Sequence, residues 1–219
     1  MMTAQFWEPL RLSLEVAVVA SMVVIITGIL AGRLMAGRSF RGKALVETVF
    51  LLPLVLPPTV VGFLLIVWFG RNGWAGQAIE WLFNQPVIFT WWAAVIAAIV
   101  VAFPLMYQSA KTGFESIDGD IEDAARVDGA GEFRVFLSVS TPLAIKAIIS
   151  GGILSFARAL GEFGATLMFA GNIPGVTQTA PLAIYVAMDS GNMELAWMWV
   201  ACMVGISFLM LMLVYRARV

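Results

Sequence analysis

The chain contains no histidine and a single cysteine, Cys202, and only 12% of its 219 residues are charged. Each shortage excludes a class of chemistry. Without histidine there is no HExxH helix, no Ser/His or Cys/His dyad, and none of the commonest zinc and haem ligand. One cysteine in an apolar run supports neither a disulfide framework nor CxxC redox chemistry, and it reads as a small hydrophobe. A GxxxxGK[ST] pattern is also missing, so no P-loop is present to bind ATP. The net charge of −1 offers nothing to a nucleic acid.

Apolar residues are abundant: 61% of the chain is hydrophobic, mean hydropathy is +0.92, and there are 15 Phe, 12 Met and 8 Trp. Ordinary soluble domains carry about twice this charge, and a chain of this size has too little interior to hide so much apolar surface. The implied solvent is a bilayer.

A membrane span needs about 20 largely apolar residues. Five stretches qualify: Leu12 to Leu34, Ala44 to Phe69, Phe89 to Gln108, a fourth running from Pro142 to Ala170, and Glu194 to Tyr215. The apolar stretch Pro181 to Met188 is too short to cross and reads as a helix or re-entrant piece on the membrane surface. The first span differs from a signal peptide because its basic cluster, Arg33, Arg38, Arg41 and Lys43, follows the apolar run, so the segment is expected to be retained. With no soluble linker, residues 1–219 read as one transmembrane domain with an all-α, polytopic helix-bundle fold.

Ten of the 13 Lys and Arg fall in the first loop, the loop after the third span and the C-terminal tail. The positive-inside rule then puts the N-terminus outside and the C-terminus in the cytoplasm of a multi-pass inner-membrane protein. Trp7, Trp74, Trp81, Trp91, Trp92 and Trp197 fall at the opposite interface, where indole rings prefer the headgroup level.

The one long hydrophilic stretch, 111–141, is thereby cytoplasmic. From Lys111 to Glu132 and Arg134 it holds three basic residues against seven acidic ones, a surface suited to a basic partner. Its pattern is helix, turn, helix. Asp118 or Asp120 can cap the first helix, Ala124 and Ala125 provide a close-approach surface, and Gly129 and Gly131 supply positive-φ freedom for the turn. The second helix would run through Phe133, Val135 and Phe136, with Pro142 at the start of the fourth span.

Within the spans, Pro53, Pro57 and Pro58 predict a kinked second helix whose freed carbonyls, at Val49, Pro53 and Leu54, need partners or a wet cavity. Arg158 and Glu162, four residues apart in the fourth span, predict an ion pair on one helix face. Each charge costs roughly 2.5 to 3.5 kcal/mol near the bilayer centre, so the pair should face the bundle interior or a water-filled path. Gly28 and Gly32, and Ala157, Gly161 and Ala165, predict close helix contacts within the subunit or across a dimer. Met198, Met203, Met210 and Met212 lack the convergent soft ligands of a metal site.

The run Glu122-Asp123-Ala124-Ala125, then Gly129 after three residues and Val139-Ser140-Thr141-Pro142 after nine more, resembles the E-A-A-x3-G-x9-I-x-L-P loop of binding-protein-dependent ABC importer permeases. Asp123, Val139 and Thr141 depart mildly from it. The stretches FRGKA (40–44), LPLVLPPTVVG (52–62), FARALGEFGAT (156–166) and GNIPG (171–175) narrow the resemblance to permeases of molybdate importers. Sulfate permeases are near relatives that tend to carry Tyr where Phe163 stands. The resemblance implies a type I importer fold, a homodimer, two cytoplasmic ABC ATPases docked on 111–141, and an external oxyanion-binding protein. It further implies that Glu122, Asp123, Ala124, Ala125, Gly129 and Gly131 belong to the ATPase contact, and that ATP and Mg2+ bind the partner with no cofactor on this chain. Pro57, Pro58, Arg158, Gly161, Glu162 and Gly164 are the candidates for the translocation path or its gate. Outside this class, a secondary anion transporter or channel remains, and within it tungstate, sulfate or thiosulfate is the alternative cargo.

Overall fold

The computed structural model describes residues 2–218, which form helices and connecting turns with no strand among them. Three helices are long and apolar enough to cross a membrane: α1 (Met2–Met35), α5 (Trp91–Glu115) and α12 (Met193–Arg218). Two bent pairs are apolar enough when taken together, α2 (Lys43–Val55) with α3 (Pro58–Phe69), and Glu132–Leu143 with α9 (Ile145–Leu160), which α10 (Gly164–Phe169) follows after a further break. Between them lie α4 (Trp74–Phe83) and α11 (Ala180–Asp189). A separate segment comprises α6 (Gly119–Val127), α7 (Glu132–Val135), a π-turn (Phe136–Ser140) and α8 (Thr141–Leu143).

Glycines set the central packing. A Cβ on Gly28 would lie 2.5 Å from Met106 Cγ, and one on Gly32 would lie 2.8 Å from Ala110 Cβ, so α1 and α5 touch backbone to backbone. The two contacts advance together along both helices, which therefore run in the same direction. α12 follows α1 in that direction too: Trp199 Nε1 donates to Phe6 O at 2.9 Å, and Leu14 shares a cleft with Leu209 farther along.

The bent pairs run the other way. α2 begins beside the C-terminal end of α5, where Lys111 Nζ meets Glu47 Oε1 at 2.6 Å, and α3 ends with Phe69 against Phe169, next to the N-terminal end of α5. α9 likewise starts with Ala147 against Gly113 and proceeds past Ser109 at Gly151, while Phe169 O, at the end of α10, accepts from Phe89 N. The five expected spans thus become five alternating crossings. Trp7, Trp91, Trp92 and Trp197 all sit at the end where α1, α5 and α12 begin, and Arg33, Lys43 and Lys111 sit at the other.

Two spans differ from the sequence reading. The second is a break rather than a kink, its halves bent by 117°. A residue before proline is pushed out of the α region, and Pro57 accordingly stands at φ −54°, ψ 136°, so α2 stops at Val55 and Pro58 opens α3 at a position that needs no N–H. Pro57 O accepts from Val60 N and Val61 N. Only Pro53 lies inside a helix and frees a carbonyl as expected. The fourth span, read as continuous from Pro142 to Ala170, turns by 75° at Ala144 and breaks again at Gly161–Phe163. Ala157, Gly161 and Ala165 therefore do not share a helix face. α11 is a helix too short to cross, as expected, but it is packed into the bundle: Ala180 N donates to the Ser13 hydroxyl at 2.7 Å, and Leu182, Ala183 and Ala187 are buried.

Candidate functional site: the α6 to α8 segment and the paired breaks

Asp118 is the N-cap of α6, its Oδ1 accepting from Asp120 N at 3.1 Å, and Asp120 and Glu122 occupy the first turn, where they complement the helix dipole. α6 ends in a Schellman motif: Gly129 N donates to Arg126 O and Ala130 N to Ala125 O, with Gly129 at φ 87°. Gly131 does not share this role. Its φ is −70° and ψ 160°, extended backbone open to any residue, and it precedes α7 as the N-cap.

Glu122 is the centre of the segment. Both its oxygens accept from Arg33 at the end of α1, Nη1 to Oε1 at 2.8 Å and Nη2 to Oε2 at 3.0 Å. Ser140 Oγ donates to Oε1 at 2.6 Å, and Arg126 Nη2 approaches Oε2 at 3.3 Å. Arg33 also lies over the Phe114 ring, 5.7 Å from its centroid. This fork joins α6 to α1, α5 and the π-turn at once. Arg126 adds a second tie, to Asp123 at 2.6 Å and Glu132 at 2.7 Å, linking α6 to α7.

The segment's outward face carries both acidic and apolar groups. Glu122, Asp123 and Glu132 are all engaged by Arg33 or Arg126, whereas Val127 is 87% exposed and Phe133 76%, with Ile121 and Leu137 about half exposed. Asp118, Asp120, Asp123, Asp128 and Glu132 are exposed beside them, so the outward surface mixes carboxylates with apolar side chains. Ala124 is exposed and Ala125 half-buried on the same helix.

The Arg33 guanidinium holds the Glu122 carboxyl below its ordinary value of 4.5, against the opposing effect of burial and with help from Ser140. A carboxylate depressed on folding stabilises fully above that ordinary value and loses its contribution as pH falls through the lower folded one. Protection of α6 amides from hydrogen exchange, corrected for intrinsic rates, is therefore expected to stay level from pH 7 to about pH 5 and to fall below about pH 4. Protection that persists down to pH 3 would remove the fork from this account.

The second cluster forms where the two broken spans meet. A Cβ on Gly164 would lie 2.8 Å from Pro58 Cβ, and one on Gly62 would lie 2.7 Å from Met168 Cβ, so the α3 and α10 backbones are in contact just beyond each break. Glu162 lies in the gap between α9 and α10, its side chain 2% exposed. Oε2 pairs with Arg158 Nη1 at 2.6 Å and Oε1 accepts from Ala165 N at 2.7 Å. Arg158, in the last turn of α9, is 28% exposed. The structure thus brings together Pro57, Pro58, Arg158, Glu162 and Gly164. Gly161 caps α9 without a close neighbour and is exposed.

Arg33 and Ser140 were not singled out by sequence reasoning. Arg33 was visible only as one cation of a topogenic cluster. Ser140 sits at an unspecified position of the loop pattern.

Residues 25–217 match the family described as binding-protein-dependent transport system inner membrane component. The chain is 66% identical over 215 residues to the putative molybdenum transport system permease protein YvgM of Bacillus subtilis (strain 168), covering 98% of this chain and 95% of that one. It is 44% identical to the molybdenum transport system permease protein ModB of Escherichia coli (strain K12), covering 86% and 82%. A sulfate transport system permease protein, CysW of Synechococcus elongatus (strain ATCC 33912 / PCC 7942 / FACHB-805), is 34% identical, covering 94% and 72%. Among solved structures, the inward-facing MetNI methionine ABC transporter superposes with TM-score 0.75 at 15% identity, covering 99% of this chain and 96% of that one. A bacterial alginate ABC transporter gives 0.73 at 15% identity, covering 97% and 77%. Both share the overall fold of this chain. The chain belongs to the family of inner-membrane components of binding-protein-dependent transport systems.

Proposed function

We propose that this chain is the membrane-spanning subunit of an ATP-driven importer that carries molybdate into the cytoplasm. Two copies form the path, two cytoplasmic ATPases dock on α6 to α8, and an external binding protein delivers the anion. The N-terminus is outside and the C-terminus inside. ATP-driven closure of the ATPases moves α6, the Arg33–Glu122 fork carries that movement into α1 and α5, and the two bundles rock between outward and inward openings. Arg158 attracts the oxyanion at the meeting of the breaks, with Glu162 holding it in place. Pro57, Pro58 and Gly164 shape that junction, and Gly161 leaves it room to move.

The observation that carries this reading is the coupling segment. It is tied inward through Glu122 by the Arg33 ion pair and the Ser140 hydrogen bond, and outward it presents Val127 and Phe133 to a partner. The 66% identity to a putative molybdenum permease supports the cargo. A sulfate cargo is the second reading, on the 34% identity to a sulfate permease.

Val127→Asp with Phe133→Asp places charge in the proposed contact without touching the fork. The ATPase is expected to be lost on purification through this chain, while yield and melting temperature of the membrane subunit stay within a few degrees of the parent, as for other exposed substitutions. Full retention of ATPase would contradict the docking surface. In inverted and right-side-out vesicles, a C-terminal tag should be cleaved only from the cytoplasmic side and an N-terminal tag only from outside; the opposite pattern would invert the topology.

A further inference from the structure

Arg11 and Arg33 stand about 33 Å apart along α1 at the rise of an α-helix, which matches the hydrocarbon thickness of a bilayer, about 30 Å. The one charge between them, Glu15, reaches back to Arg11, whose Nε donates to Glu15 Oε1 at 2.7 Å. With Arg33 at one boundary, Arg11 stands at the other, at the headgroup level that indole rings such as those of Trp7 and Trp91 prefer.

Two clefts lie side by side at this end of α1, and Arg11 and Glu15 form the ridge between them. The first, about 310 Å³, holds Glu8 and Trp91. The second, about 530 Å³, separates α1 from α12 and runs past Leu10, Leu14, Gly205, Ile206 and Leu209. α1 and α12 are held together above it, where Trp199 Nε1 donates to Phe6 O at 2.9 Å and the two rings stack. Below that tie the space stays open: no atom lies within 4 Å of a Cβ on Gly205, and Leu209 lies about 15 Å deeper than Trp199. An apolar groove thus descends into the membrane from a charged ridge.

The charges on the ridge have bonding capacity to spare. Arg11 is 79% exposed and uses only Nε on Glu15, so both terminal nitrogens are free among the described residues. Glu8, one turn farther out, is exposed and makes no hydrogen bond or ion pair among the described residues. A guanidinium with two free nitrogens suits a phosphate, and a carboxylate near an indole suits an ammonium. Two carboxylates to one guanidinium also disfavour a headgroup of net negative charge. An apolar helix would fill the groove but offer nothing to either charge.

We propose that this ridge binds one phospholipid with a zwitterionic, amine-bearing headgroup, its phosphate on Arg11, its ammonium on Glu8 and one acyl chain in the α1/α12 groove. The site requires only that the chain sits in a bilayer, and it depends on neither the cargo nor the ATPase.

The test uses the protein purified from membranes with the subunits that accompany it and returned to vesicles of equal parts phosphatidylethanolamine and phosphatidylglycerol. A trace of one lipid or the other carries a photoreactive diazirine on its acyl chain, and the cross-linked residues are mapped by mass spectrometry. The ethanolamine lipid should label Leu14 and Leu209 about threefold more than the glycerol lipid, within the range of an exposed ion pair. Both lipids should label Val204 equally, since it is exposed on α12 outside the groove. Glu8→Gln should erase the preference and keep the labelling, whereas Gly205→Leu, which fills the groove, should remove labelling of Leu14 and Leu209 and spare Val204. Both positions are exposed, so yield and melting should match the parent. Equal labelling of the groove by the two lipids, or a preference that survives Glu8→Gln, overturns the headgroup assignment. A groove that neither lipid labels while Val204 reacts overturns the site and assigns the groove to a protein chain.

Discussion

Glu162→Leu is expected to damage assembly and uptake more than Arg158→Leu and Glu162→Leu combined. The single change leaves the Arg158 guanidinium, now 28% exposed, without its carboxylate in the last turn of the apolar helix α9. Breaking a buried pair from one side costs about 3 to 5 kcal/mol, whereas removing both charges is often close to neutral. For a chain of this length 3 kcal/mol is roughly 6 to 12 °C in melting temperature. The double variant recovers most of that but not all, because Glu162 Oε1 also accepts from Ala165 N at the start of α10 and leucine cannot replace that bond. Melting in detergent and uptake in proteoliposomes should therefore order the variants as parent, double, single. Equal loss in single and double variants would show that the pair contributes no coupling and that Glu162 acts only as the cap of α10.

Gly129→Pro is the second large effect, and it is directed at coupling rather than at folding of the bundle. Gly129 stands at φ 87°, which proline, fixed near −65°, cannot adopt, and its N–H donates to Arg126 O, which proline cannot do. Both bonds of the Schellman motif are lost together, freeing the C-terminal turn of α6 that carries Arg126 and Val127. The position is open, with no atom within 4 Å of a Cβ there, so the spans are not disturbed. Membrane insertion and yield should match the parent, while stimulated ATP hydrolysis falls by at least about tenfold, since a misplaced contact of this kind removes more than 1.4 kcal/mol. Gly129→Asn, which tolerates the left-handed region, should retain most of the activity. Normal transport by the proline variant would detach the turn from coupling.

The sequence made the five crossings legible because bilayer thickness fixes the length of an apolar run, and it made the helix and turn of the 111–141 loop legible because Gly129 and Asp118 have local reasons to sit where they do. The two breaks were harder. Pro57 and Pro58 marked the first, but whether adjacent prolines bend or end a helix depends on what packs against the gap, and here Gly164 against Pro58 fills it. The second had only Gly161 and Gly164 around a buried acid as its signal, since the helix ends where the Glu162 carboxylate captures an N–H. The fork from Arg33 to Glu122 joins residues 89 apart in the chain, beyond any local pattern. The acidic character of the loop is legible in part: Asp120 and Asp128 stay exposed, whereas Glu122 is engaged by Arg33, which lies close only once the chain is folded.

The most direct test of the importer account is ATP hydrolysis by the complex purified through this chain and placed in liposomes with its binding protein, with molybdate, tungstate and sulfate compared. The account predicts that an ATPase accompanies the chain and that molybdate-loaded binding protein stimulates it most. Stimulation by sulfate alone would contradict the cargo, and purification without any ATPase would contradict the mechanism.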